Sequence, residues 1–348
     1  MSETLEQKSS NNIALGIMAA GVVMIGLIWG SSFLLPLAIA ILLWNLLEAV
    51  IARLTGSLYI PRIFAMIIAI GLVAFGFFLI SRILMSQGDA VVAAAPKYTE
   101  RLKEIIGHIG NWLGPEMTER IKNGVAGLQY SNSISGFLGG AQATLTNAVL
   151  VVLYVGFLLA EGRNVSKKIV RLFPEEERSS RVRAILKSLS ENVRKYIWIK
   201  TIMSIITGTS SYIILKYLNV DFAETWALVI FLLNYIPTIG SILGVIFPAV
   251  IALIQFDTYT PFLIIALGLT AIQFTIGNVI EPMFMGNSLN LSAFVIILSL
   301  TFWGTIWGAA GMVLSIPITV MMMIVAAHVP SWQWVAIMLS RDGNIETR

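Results

Sequence analysis

The sequence predicts an all-α polytopic membrane protein in which scaffold helices are followed by an inverted repeat, each copy a helix plus a re-entrant hairpin. Three observations predict it. Hydrophobic residues fill 57% of the 348 positions and charged ones only 12%, and the mean hydropathy is +0.83, a composition foreign to water-soluble domains. Apolar runs of bilayer-crossing length recur along the chain. Two later runs, 222–256 and 289–328, are too long for one crossing, are interrupted by helix breakers, and echo each other. The chain contains no cysteine, which excludes disulfides and thiolate metal sites. Its two histidines, His108 and His328, lie in separate segments without metal-ligand company.

A short polar tail leads into apolar runs at about 12–30, 33–52 and 61–81. The first is too long for a typical signal-peptide core and a second span follows directly, so it reads as retained. Pro36 and Pro61 fall near helix starts, where a missing N–H costs least. Residues 82–135 change character. Tyr98, Leu102, Ile105, Ile109 and Trp112, then Met117, Ile121, Val125 and Leu128, recur at helical spacing among Lys and Glu. That is the pattern of amphipathic helices outside the bilayer core. Ser131–Gly140 is rich in Ser and Gly and reads as a loop. A fourth span at about 141–160 completes a scaffold region, 1–160.

Residues 161–200 hold eleven of the chain's 23 Lys and Arg, against five acids. Val182, Ile185, Leu186, Leu189 and Val193 form an apolar stripe with Arg and Lys around it. The segment 161–199 is therefore expected to form basic amphipathic helices at the cytoplasmic face, near anionic membrane lipids. Positive-inside bias accounts for the charge, so no nucleic-acid partner is implied. This orientation puts the N-terminus inside and 82–135 outside.

Runs at about 200–218, 222–256, 261–285 and 289–328 fill the remaining half. The second breaks at Asn234–Gly240 and the fourth around Thr301–Gly311. Ala227–Leu232 aligns with Ala293–Leu298. After one skipped residue, Thr238, Ile239 and Gly244 align with Thr305, Ile306 and Gly311. The helices preceding the two breaks also correspond: Thr201, Ser204, Thr207, Gly208 and Ser211 share one polar face, and Thr270, Gln273, Gly277, Asn278 and Glu281 share another. If each hairpin enters and leaves on one side, the copies are inverted, 200–328 is the transport region, and the tail 329–348 is cytoplasmic.

Glu281 is the only acid between Asp257 and Asp342, and an ionisable group inside a membrane segment is a functional candidate. Pro282 beside it is expected to end or kink the helix. Inverted repeats with broken helices place a site near the bilayer midplane, where unwound backbone offers free N–H and C=O groups. The expected substrate-binding set is Asn234, Pro237, Thr238, Gly240, Ser241, Gln273, Asn278, Glu281 and Thr305, with Gly304 and Gly308 supplying the second break. The set implies neither metal nor cofactor.

The run Phe231–Ser241 resembles a signature of the autoinducer-2 exporter family. So do Gly277–Pro282, Met285-Gly286, Leu289–Leu291, Leu298–Gly304 and Leu314–Pro317. Pro96–Tyr98, Phe173-Pro174 and Tyr196-Ile197 fit the same pattern. The resemblance implies a transporter of the bacterial inner membrane, a homo-oligomer, pentameric by that analogy, that works like an elevator. Family members are assigned export of autoinducer-2 or exchange of sodium or lithium for protons. This chain departs from the pattern at Met283, Phe284 and Met321–Met323, where many members carry basic residues.

Three functions are weighed. An exporter of autoinducer-2 or a similar small polar solute needs paired donors and acceptors. A monovalent cation/proton antiporter needs an exchanging carboxylate, for which Glu281 is the candidate. A single acid with no partner base counts mildly against a multi-carboxylate ion pathway. A non-transporting scaffold or an enzyme is the third. An enzyme lacks a metal cluster, a nucleophile–base pair and a phosphate loop.

Overall fold

A computed structural model of the chain describes residues 2–113, 130–286 and 290–344. The described chain is helical: α1 (Ser2–Trp29), α2 (Ser31–Ser57), α3 (Arg62–Leu113), α4 (Tyr130–Leu172), α5 (Glu176–Tyr217), α6 (Ala223–Leu233), α7 (Ile239–Gln255), α8 (Tyr259–Phe274), a π-helical turn (Thr275–Ile280), α9 (Glu281–Met285), α10 (Ala293–His328) and, after a 3-10 turn (Pro330–Trp332), α11 (Gln333–Leu339). Among the described residues, five helices are long and apolar enough to cross a membrane. Phe64, Phe75 and Phe157 are exposed, which lipid solvates and water does not.

Helices run through several boundaries expected from composition. α3 is 52 residues long, about 78 Å, more than twice a hydrocarbon core of about 30 Å. Its apolar stretch Arg62–Gln87 and its amphipathic extension are thus one element. The latter half of the expected amphipathic region, from Met117 to Leu128, lies outside the described residues. Ser131–Gly140, expected as a loop, is helical and opens α4. Glycine and serine lower helix propensity by less than about 1 kcal/mol each, which continuity with a long helix outweighs. α5 joins the basic segment to the polar-striped span without interruption.

The chain forms two compact units. The first comprises Met1–Asn45, Tyr154–Val193 and Asn290–Arg348. In it, α10 leaves helical geometry at Gly308, with φ 62° and ψ −146°, a backbone conformation that glycine alone adopts cheaply. The arms on either side fold together. Ser299 donates to the Ser315 carbonyl at 3.1 Å and shares a 2.5 Å bond with the Thr319 hydroxyl. A Cβ at Gly311 would stand 2.0 Å from the Trp303 oxygen, so that glycine serves close approach. Gly304, expected to break the helix, faces Met312 and serves the same contact. The segment after α10 is docked: Leu291 bridges Ser340, and the Arg341 N–H donates to the Asn290 carbonyl at 3.0 Å.

The second unit comprises Leu46–Leu153 and Arg194–Leu289. Its core gathers Leu215 from α5, Ala223 and Ile230 from α6, Ala249 and Ala252 from α7, and Ile265 and Leu269 from α8. α6 has 11 residues, about 16 Å, too short to cross a bilayer. The chain turns at Asn234–Thr238 and α7 packs back along α6. Gly240 permits this, because a Cβ there would lie 1.7 Å from the Leu233 carbonyl oxygen.

Close approach recurs at the two turn-backs: a Cβ at Gly240 would meet the Leu233 carbonyl, and a Cβ at Gly311 the Trp303 carbonyl. The sequence alignment instead sets Gly311 opposite Gly244, where a Cβ would meet Gln273.

Candidate functional site

The second unit contains a cavity of about 520 Å³. Three stretches line it: α5 through Lys200, the turn and start of α7 through Asn234, Pro237, Thr238 and Ser241, and the end of α8 with its π turn through Thr270, Gln273, Asn278 and Glu281.

Proline shapes the first wall. Pro237 has no N–H to offer the carbonyl of Asn234 three residues earlier, and that carbonyl accepts from the Lys200 ammonium at 3.2 Å. The Asn234 amide donates to Ser204 at 3.1 Å. Asn234 is buried, and both its bonds tether the turn to one face of α5. Tyr235 adds a third tether, donating to Thr201 at 2.8 Å. Thr238 follows with φ 62° and ψ −59°, while the Ile239 N–H reaches the Pro237 carbonyl at 2.6 Å. This is a γ-turn of the strained hand, a conformation costing on the order of 1–3 kcal/mol, and it sits on the cavity wall.

The facing wall widens where Pro282 would otherwise clash. In α-helical geometry its ring meets the carbonyl four residues back. Thr275–Ile280 instead form a π-helical turn, in which the Glu281 N–H donates to Ile276 five residues earlier. The helix then continues through Pro282 to Met285, so the expected end or kink is replaced by a wide turn. Such turns concentrate at functional sites.

The two walls meet in an ion pair. Lys200 Nζ lies 2.6 Å from Glu281 Oε1, with side chains only 6% and 14% exposed. The expectation of a carboxylate without a partner base is thereby corrected. In the sequence, Lys200 is one of eleven Lys and Arg in a basic segment. Its spacing of four from both Tyr196 and Ser204 is the signal that places it on the polar face of α5. Tyr196 enters the sequence reading only through the family pattern; it is buried, and its hydroxyl has no hydrogen-bond partner among the described residues.

Of the nine expected residues, Asn234, Pro237, Thr238, Ser241, Gln273, Asn278 and Glu281 line the cavity. Gly240 does not; its role is the backbone approach to Leu233. Thr305 belongs to the first unit, and its hydroxyl donates to Thr301 on its own helix at 2.8 Å. Thr305 precedes the break at Gly308, whereas Thr238 lies within the turn that ends α6. Gln273 is buried, and its Nε2 has no hydrogen-bond partner among the described residues. No cluster of potential metal ligands occurs among them either. Chemically, the cavity offers hydroxyl, amide and carboxylate groups around a compensated charge pair.

A family profile described as AI-2E family transporter matches residues 15–331 of this chain. A putative transport protein of Haemophilus influenzae is 28% identical over 339 residues, covering 95% of this chain and 96% of that protein. The AI-2 transport protein TqsA of Escherichia coli is 28% identical over 337 residues, covering 94% of each chain. The putative transport protein YhhT of Escherichia coli is 30% identical over 244 residues, covering 68% of each.

Proposed function

This chain belongs to the AI-2E transporter family, and from that premise we propose that it exports a small, uncharged, hydroxylated solute, with autoinducer-2 the leading candidate. The observation that carries the reading is the cavity wall, where polar groups surround an ion pair that is already neutral as a whole. A polyol can donate to the free oxygen of Glu281 and accept from Gln273 Nε2 without separating that pair. A charged solute has to compete with one of its members, at the cost of an uncompensated buried charge. The TqsA protein of Escherichia coli, named for AI-2 transport, supports the same solute class.

The transport cycle proposed is alternating access of the elevator type. The turn-backs at Asn234–Thr238 and Gly308 would be re-entrant tips approaching from opposite membrane faces. The protein would reside in the bacterial inner membrane as a homo-oligomer, a pentamer by analogy, with both termini cytoplasmic. Reconstitution into proteoliposomes tests the reading. Labelled autoinducer-2 and an enclosed pH-sensitive dye are followed in parallel. Solute flux without cation-triggered proton flux is expected; proton flux on adding sodium or lithium, with no solute flux, overturns it.

A further inference from the structure

The Lys200 ammonium touches two oxygens of a kind that small inorganic cations favour: a carboxylate oxygen at 2.6 Å and a backbone carbonyl oxygen at 3.2 Å. In broken membrane helices, unwound carbonyls together with a carboxylate are suitable ligands for sodium. Here the carbonyl is that of Asn234, the residue that caps the end of α6 and so has no helical donor of its own, and the Ser204 bond to the Asn234 amide keeps it aimed. Ser204 lies one turn beyond Lys200 on α5, so the helix that supplies the ammonium also positions the carbonyl. A lysine on a covalent tether competes at high effective concentration with any ion in solution.

We propose that Lys200 is the specificity-determining residue of the cavity: a tethered cation that occupies a latent sodium or lithium site formed by Glu281 and the Asn234 carbonyl, and so bars those ions from it. The functional meaning rests on the reading of the cavity as the transport site; the chemistry of exclusion does not. The cavity then accepts a solute beside the pair, and removal of the lysine charge converts the same oxygens into a cation site.

The experiment uses the full-length protein in detergent. Thermal unfolding is followed by tryptophan fluorescence in sodium chloride, lithium chloride and choline chloride at one ionic strength. The wild type is expected to unfold at the same temperature in all three. Lys200→Met should unfold several degrees lower in choline than in sodium or lithium. Lys200→Gln keeps a donor to the Asn234 carbonyl and so preserves the tether; it should show the same dependence. Glu281→Gln added to either should abolish it. A sodium-specific rise in the wild type overturns the proposal, as does a Lys200→Gln protein indifferent to all three salts. Solute uptake by wild-type vesicles is measured separately. Its failure removes the transport reading, whereas only the salt pattern decides the exclusion of cations.

Discussion

Tyr98 donates its phenolic hydrogen to Asp221 at 2.7 Å, joining the extension of α3 to the segment just before the α6–α7 turn-back. Arg101, one turn later, pairs with Asp257 at 3.0 Å, just beyond α7. One helix face therefore grips both ends of that hairpin. The Arg101 pair is solvent-screened and worth little, so Tyr98 carries the clasp.

Tyr98→Phe is expected to destabilise the protein by about 1.5–3 kcal/mol, the range for a hydrogen bond to a charged partner. Burial pushes the Tyr98 phenol well above its ordinary 10, and the hydrogen bond and charge of Asp221 push it further. A raised folded-state value means stability fully present below pH 10 and lost as pH rises above it. The difference in melting temperature between wild type and Tyr98→Phe should therefore hold constant to about pH 10 and shrink above it. A constant difference to pH 12 would show the bond to be unimportant.

Glu281→Gln should cost about 3–5 kcal/mol, because it strands a buried ammonium, and should lower solute uptake. Lys200→Met should destabilise similarly. Combining the two should restore much of the stability, and a thermodynamic cycle over the four proteins measures the coupling. Additive losses would mean that the two side chains do not interact.

Gln273→Leu separates stability from transport. The change removes a buried amide nitrogen that has no partner among the described residues, so stability should hold or rise by about 1 kcal/mol. Uptake should fall, since the amide is offered to solute. Unchanged uptake would remove Gln273 from the site.

Two glycines should be intolerant for different reasons and a third tolerant. Gly240→Ala places a methyl on the Leu233 carbonyl, and Gly308→Ala forces a side chain into positive φ; each should cost at least about 1–3 kcal/mol. A methyl at Gly277 would meet nothing within 4 Å, and the residue lines the cavity. Gly277→Ala should leave melting unchanged while reducing uptake.

Composition and period make the helices legible, and breakers mark both places where the chain turns. Proline at 237 and glycine at 308 act locally, so their effects can be read locally. The partner of Glu281 cannot be read this way. Lys200 is distant in sequence and sits inside a basic segment whose charge membrane topology already explains. Spacing along α5 from Tyr196 to Ser204 marks its face, but only packing shows what that face meets. Seven of the nine expected residues line the cavity because they occupy two short stretches. Thr305 enters the expected set through an alignment of apolar sequence, and it lies in helix before the break at Gly308 rather than in it.

The wide turn before Glu281 also leaves a trace that relatives can carry. A helix that steps five residues where four would do contains one surplus position. Loss of one residue between Gln273 and Glu281 would rewind the segment as ordinary α-helix, with the five-residue step closing to four and the carboxylate still facing the lysine. The Pro282 ring would then meet the carbonyl four residues before it. Homologues that have undergone such a deletion should therefore have given up the proline as well. The length of this one interval is thus a heritable marker of whether a relative keeps the wide turn, readable without any coordinates.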